Sequence, residues 1–173
     1  MVDEHAFRAL NVWIPLVDVD AASGAVEVVP EPVASPWPVR SLTLPSPCLA
    51  FGGEVEDHLV PVPLAAGDAL FYRHDLFHGS RANHTGQDRV AVALSVLPPG
   101  SRFEQCYVGP GTPPEAVDVY EVDESYFYRD LAELTDGRRP QRHRLVGRAP
   151  RGDAPLTEAA AVRRLRDARA ATA

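Results

Sequence analysis

The sequence predicts a mainly β fold, a sandwich or jelly roll, and three observations point to it. Apolar runs rich in branched and aromatic residues recur, as in Phe7–Val19 and Arg89–Leu97, without the 3.6-residue stripe of a helix. Turn residues separate them, drawn from 17 prolines and 12 glycines. Helical pattern is confined to the stretch after Pro114. At 173 residues the chain is one domain's worth of sequence, enough to bury about 70% of its unfolded surface.

FRALNVWIPLVDV (Phe7–Val19) reads as the first strand and DVDAASG (Asp18–Gly24) as a turn. AVEVV (Ala25–Val29) is a second strand, stopped by Pro30. Glu31–Pro47 is a proline-rich loop, of a length that marks a lid or binding loop in a compact domain. LVPVPL (Leu59–Leu64) alternates, and its prolines make it an edge strand. Gly67 and Asp68 form a turn before a short strand, Ala69–Tyr72. RVAVALSVL (Arg89–Leu97) is a strong strand ended by Pro98–Gly100, and Phe103–Val108 is another. ESYFYRDLAEL (Glu124–Leu134) reads as a helix, with Phe127, Leu131 and Leu134 at compatible spacing. Asp136–Pro155 reads as a polar, arginine-rich loop. Thr157–Ala171 reads as a terminal helix capped by Thr157. Its apolar stripe is thin, Val162 and Leu165 among alanines, so it is expected as a solvated cap. The expected division is a core over residues 1–136 and an arginine-rich tail over 137–173. The body shows six strands where a closed jelly roll has eight.

Composition excludes several classes. With 45% hydrophobic and 24% charged residues the chain is not disordered. No run approaches 18 uncharged apolar residues, so no membrane helix is expected. Asp3, Glu4 and His5 stand where a signal peptide needs positive charge. Two cysteines, Cys48 and Cys106, cannot build a disulfide framework or a cysteine zinc cage. They suit a reducing, cytoplasmic setting in which free Cys is a small buried hydrophobe. All 17 basic residues are arginine, and charge is divided: net −14 over residues 1–136 and +7 over 137–173. The tail is expected to fold back on the acidic body or stay solvated. No aromatic residue interleaves with its arginines, which argues against nucleic acid.

Chemistry concentrates in GDALFYRHDLFHGSRANHTGQDRVAVALSVL (Gly67–Leu97). His74 and His78 are four apart, as zinc ligands on a helix would be, but Asp75 stands where that motif has glutamate and the surroundings read as strand and turn. A non-haem Fe(II) site suits the segment better. Such a site takes two histidines and one carboxylate on one face, the second histidine from a strand far from the first pair. His78, followed by small Gly79 and Ser80, suits that second role. Arg89 opens the next strand, where its guanidinium can hold a carboxylate with two parallel hydrogen bonds. Iron beside a carboxylate clamp is what 2-oxoglutarate chemistry requires.

LNVWIPLVDVDAASGAVEVVP (Leu10–Pro30) and GDALFYRHDLFHGSRANHTGQDRVAVAL (Gly67–Leu94) resemble the phytanoyl-CoA dioxygenase family of Fe(II)/2-oxoglutarate oxygenases. The second block is similar to the family's distal-histidine segment, His-Gly-Ser with an arginine eleven residues on. YEVDESYF (Tyr120–Phe127) resembles bacterial members. The resemblance implies a double-stranded β-helix, the jelly-roll or cupin-like fold, with short C-terminal helices. It implies that His78 is the distal iron ligand, Arg89 the 2-oxoglutarate clamp and Ser80 a hydroxyl helping to hold that carboxylate. Trp13 would be the strand aromatic beside the cosubstrate, and Asn11, on the same side by alternation, would line the pocket. The implied cofactors are Fe(II) and 2-oxoglutarate, and the implied reaction is hydroxylation of a small organic molecule with release of succinate and CO2.

Two departures stand out. Glu31 and Pro32 follow Pro30 where the family usually has Gly-Ser-His. The family's His-x-Asp motif is missing: no histidine here is followed two residues on by Asp or Glu, and Asp3 and His5 have the reversed order. The expectation is therefore the C-terminal part of such an oxygenase, incomplete at its N-terminus through a misplaced start codon or a true truncation. The alternative is a non-catalytic jelly-roll binding protein, or a decayed oxygenase. Substrate and oligomeric state are not readable.

Overall fold

The computed structural model describes residues 9–30, 44, 53–130, 132–133, 136–151 and 158–172. It is mainly β, with three antiparallel three-stranded sheets and a terminal helix. The chain divides into two compact units. One gathers Arg8–Ser35, Ala50–Leu97 and Leu156–Ala173; the other gathers Met1–Phe7, Pro36–Leu49 and Pro98–Pro155.

The first unit holds β1 (Leu10–Pro15), β2 (Val26–Val28), a single helical turn α1 (Gly53–Glu56), β3 (Val60–Pro61), β4 (Leu70–Arg73), β5 (His78–Ser80) and β6 (Ala91–Val96). One sheet has the order β4-β1-β6 and the other β3-β2-β5. The expected first strand is shorter than its apolar run, because the chain turns away after Pro15; Val19 instead bridges to Leu64. The expected turn forms: Ser23 N–H donates to Asp20 Oδ1 at 2.9 Å and Asp20 N–H to Ser23 Oγ at 2.8 Å. The proline-bearing strand does lie at a sheet edge, as β3. His78–Ser80, not resolved as a separate element by the sequence pattern, is a strand.

Alternation gives the β4-β1-β6 sheet two different faces. Val12 lies opposite Phe71 and Leu94, and Leu10 opposite Val96. Only the central Val12 of this row is buried; Phe71 is 61% exposed and Leu94 51%. The other face carries Asn11, Trp13, Leu70 and Tyr72, with Trp13 packing on Val19, Ala25 and Val26.

The terminal helix, α2 in this unit (Glu158–Thr172), corrects one expectation. It is not a solvated cap: Ala161, Val162 and Leu165 are buried with Val29 and Val55, and Leu59 and Phe77 pack against them. A thin stripe suffices because alanines let the helix approach its neighbours closely. Its expected cap, Thr157, lies outside the described residues, as do Cys48 and most of the proline-rich loop.

The second unit is the sheet β7-β8-β9, from β7 (Phe103–Tyr107), β8 (Ala116–Val122) and β9 (Arg144–Pro150), with one helical turn at Tyr126–Arg129. Two corrections belong here. Ala116–Val122 was not expected as a strand, and Arg144–Pro150 was expected as loop. The arginines sit in a strand because β8 supplies their counter-charges. Asp118 and Glu121 stand opposite Arg148 and Arg144, and both pairs form ion pairs. Arg139, Arg144 and Arg148 thus fold back on acids of the body, one of the two outcomes expected for the tail. Within the expected helix from Glu124, Tyr126–Arg129 forms a turn and Ala132 and Glu133 are again helical; Leu131 and Leu134 lie outside the described residues.

The unit's core is Tyr107, Tyr120, Val122 and Tyr126, with Phe103 against it. Asp118 is fully buried beneath it. Arg148 Nε donates to it at 2.7 Å and Thr112 Oγ1 at 2.9 Å, and Arg139 Nη2 lies 3.5 Å away. Burial alone would raise this carboxyl, but those hydrogen bonds and the two arginine charges hold it below the usual carboxylate range. Burial pushes the Cys106 thiol up to about 11, so it stays protonated at neutral pH. Among the described residues no helix is long and apolar enough to cross a membrane.

Candidate functional site

Three of the five candidate residues, Ser80, Arg89 and Trp13, meet around one turn. β5 ends on Ser80, β6 follows Arg89, and between β1 and β2 the chain passes through Gly24. Ser80 Oγ donates to the Gly24 carbonyl at 2.8 Å. Arg89 Nη1 donates to the same carbonyl and to Ser80 Oγ, the latter at 2.5 Å. The Arg89 guanidinium lies 5.8 Å from the Trp13 ring centroid, a cation–π contact. Among the described residues every hydrogen bond to Arg89 goes through Nη1. The Nε and Nη2 edge is left as a two-pronged donor, the geometry that holds a carboxylate.

Gly24 is required where it stands. Its φ is +77°, and a Cβ there would lie 2.7 Å from the Arg81 carbonyl and 3.4 Å from Arg89 Nη1. Its lack of a side chain lets β5 and Arg89 close on the turn.

His78 is exposed at the start of β5, paired with Val28. Its Nδ1 lies 2.9 Å from the Leu76 carbonyl. A carbonyl only accepts, so Nδ1 carries the proton and Nε2 keeps its lone pair for a ligand. The His78 ring packs 4.8 Å from the Tyr72 ring at 57°. Tyr72 was not singled out in the sequence, although it shares the alternation parity of Leu70 in β4. Its register partner is Asn11. Burial raises the Tyr72 phenol, and a hydrogen bond with the Asn11 side chain acts in the opposite direction. Asn11 therefore lines the same face as Trp13, as alternation requires.

Neither His74 nor Asp75 faces this site as a ligand pair: Asp75 Oδ1 accepts from Arg73 Nε at 2.8 Å. A cleft of about 550 Å³ is lined by Arg89 together with three carboxylates, Asp18, Asp20 and Asp88, and by Ser23 and Asn83. Asp20 is held below its usual range by the Ser23 backbone N–H and hydroxyl, so the cleft keeps negative charge. An anion is disfavoured inside it.

A protein-family model described as phytanoyl-CoA dioxygenase matches residues 2–91. The chain belongs to the phytanoyl-CoA dioxygenase family. The match spans β1 to β5, Arg89 and the first residue of β6, and so covers the turn, His78 and the clamp together. No solved structure matches the chain. Membership supports oxidoreductase chemistry of the 2-oxoglutarate-dependent dioxygenase type at the level of the family, whose members typically use Fe(II) and 2-oxoglutarate.

The residues present fit the two groups unequally. The Nε and Nη2 edge of Arg89, anchored from behind by Gly24 and Ser80, fits the far carboxylate of a keto diacid. Iron is different. Among the described residues no three His, Cys, Asp or Glu side chains gather to hold a metal ion. His78 supplies one nitrogen, and Asp3 and His5 lie outside the described residues. The described residues do not by themselves fit Fe(II).

Proposed function

We propose that this chain is the clamp-bearing part of an Fe(II)/2-oxoglutarate oxygenase that acts on a small organic molecule. It holds 2-oxoglutarate through Arg89, with Ser80 and Trp13 as support, and contributes His78 as one metal ligand. The observation that carries the reading is the anchoring of Arg89 Nη1 on Gly24 and Ser80 with its other edge left open. The acidic cleft argues that the carboxylate approaches Arg89 from its Trp13 side.

The winding of the first unit supports a partial jelly roll. Consecutive strands pass from one sheet to the other at β1–β2, β3–β4, β4–β5 and β5–β6. Among the described residues the orders β4-β1-β6 and β3-β2-β5 leave β6 and β5 at edges, where one further strand each can pair. Two more strands bring six to eight. A strand beside β5 would lie next to His78, where an iron site needs a carboxylate and a second imidazole. The second reading, a binding protein of jelly-roll form without iron, is favoured by the absence of a three-ligand cluster among the described residues. The exposed apolar row at Phe71, Val92, Leu94 and Val96 tells against it, because a finished binding protein covers such a row.

Titration calorimetry tests the reading. The chain is expected to bind 2-oxoglutarate saturably, and Arg89→Ala to weaken binding by roughly 100-fold, the loss of a charge-assisted two-pronged contact. Equal affinity in the variant would remove Arg89 from its role. Succinate formed with added Fe(II) would overturn the binding-protein reading.

A further inference from the structure

We infer that Tyr72, Asn11 and Ser95 form the substrate-recognition row. The substrate is then a polar small molecule with hydroxyl, amide or amino groups beside its reacting carbon, not an acyl chain. The inference rests on the reading of the His78 face as the substrate-facing one, and it names the chemistry that face selects.

The three residues come from β4, β1 and β6 and stand directly opposite one another, Asn11 being the register partner of both Tyr72 and Ser95. They cross the sheet in one line. Ser95 Oγ lies 3.4 Å from Asn11 Oδ1, and the Tyr72 ring lies 4.8 Å from that of His78. Asn11 and Tyr72, as register partners, present their side chains to the same face. These internal bonds use only part of the row's capacity: an asparagine amide offers two donors and two acceptor sites, and each hydroxyl one donor and two. Among the described residues, the rest is left to a ligand.

The neighbouring row on the same face is Leu70, Trp13 and Ala93, which is apolar and lies on the Arg89 side. The wall therefore changes from apolar to hydrogen-bonding on going from Arg89 toward His78. A molecule presented to the His78 imidazole meets the polar row. An acyl chain pressed there would strip water from three polar groups and replace none of their hydrogen bonds, a penalty of roughly tenfold in affinity for each. The row carries no charge, so it selects hydrogen-bonding groups rather than an ionic headgroup.

The test uses the whole chain, ¹⁵N-labelled, with the Asn11 side-chain amide as reporter. The probes are the twenty free amino acids, myo-inositol and hexanoyl-CoA. At least one polar probe is expected to move the amide saturably, and hexanoyl-CoA to leave it unmoved. The combined Asn11→Leu, Tyr72→Phe, Ser95→Ala variant should weaken that polar probe tenfold or more. Tyr72→Phe alone, which keeps the ring on His78, should weaken it about threefold and guards against misfolding of the triple variant. Saturable binding of hexanoyl-CoA at this amide, silence of every polar probe, or unchanged affinity in both variants would overturn the inference. The titration of 2-oxoglutarate against Arg89→Ala is read separately. Its failure would remove the proposed function while a polar probe on the row would keep this inference.

Discussion

The β4-β1-β6 sheet and the β7-β8-β9 sheet are both three strands of similar length, yet they treat their side chains in opposite ways. In β7-β8-β9 the buried face is complete: three tyrosines and Val122 pack together, and the one buried acid, Asp118, is met by two arginines and a threonine. In β4-β1-β6 one face leaves Phe71, Val92, Leu94 and Val96 exposed, and the other presents Arg89, Tyr72 and Asn11 with donors to spare. The family match falls on the second of these and stops short of the first. Among the described residues the first sheet satisfies its own groups, whereas the second leaves groups unmet on both faces.

Removing Asp118 should do most to break this contrast. Asp118→Ala leaves two arginines facing a buried gap. The arginines are half-exposed, so the cost sits at the low end of that for a broken buried pair, about 3 kcal/mol. Chemical denaturation should show it. A loss below about 0.5 kcal/mol would mean that this sheet is not held by the pairing.

Next comes Leu165→Ala in the terminal helix. The side chain is 1% exposed, and its removal should cost about 3 kcal/mol and release the helix from Val29 and Val55. A neutral outcome would restore the solvated-cap expectation.

Acid should act on the two units unequally. The Asp118 carboxyl is depressed in the folded state, so its contribution is fully present above the unfolded value near 3.9 and is lost as pH falls through the lower folded value. Near-ultraviolet tyrosine dichroism from Tyr107, Tyr120 and Tyr126 should therefore hold at pH 5 and fade below about pH 4. Fading already at pH 6 would contradict the assignment.

The smallest effect sharpens the comparison. Leu94→Thr together with Phe71→Ser should change stability by less than about 0.5 kcal/mol while raising solubility. A loss above about 1.5 kcal/mol would show that this face is covered in solution.

The sequence made the first unit largely legible. Apolar, branched runs with turn residues between them were enough for β1, β2, β4 and β6, because that pattern is local to each strand. β8 and β9 were harder for different reasons. AVDVYEV (Ala116–Val122) alternates well but carries Asp118 and Glu121 where a core strand is expected to be apolar. RLVGRAP (Arg144–Pro150) reads as loop until its arginines are seen opposite those two acids, a pairing no local pattern contains. At the site, the expectations for His78, Ser80, Arg89 and Trp13 rest on spacing and resemblance, and that for Asn11 on alternation from Trp13; the structure brings Ser80, Arg89 and Trp13 together. Tyr72 was not, because its place beside His78 depends on how β4 and β5, in different sheets, come together.

The most direct test is hydrogen–deuterium exchange of the chain with and without saturating 2-oxoglutarate. The account predicts slower exchange at Ala25, Val26, Ser80 and the amides of residues 89–91, with no change across β7, β8 and β9. Protection appearing in Phe103–Tyr107 or Ala116–Val122, or no protection anywhere at saturation, would contradict it.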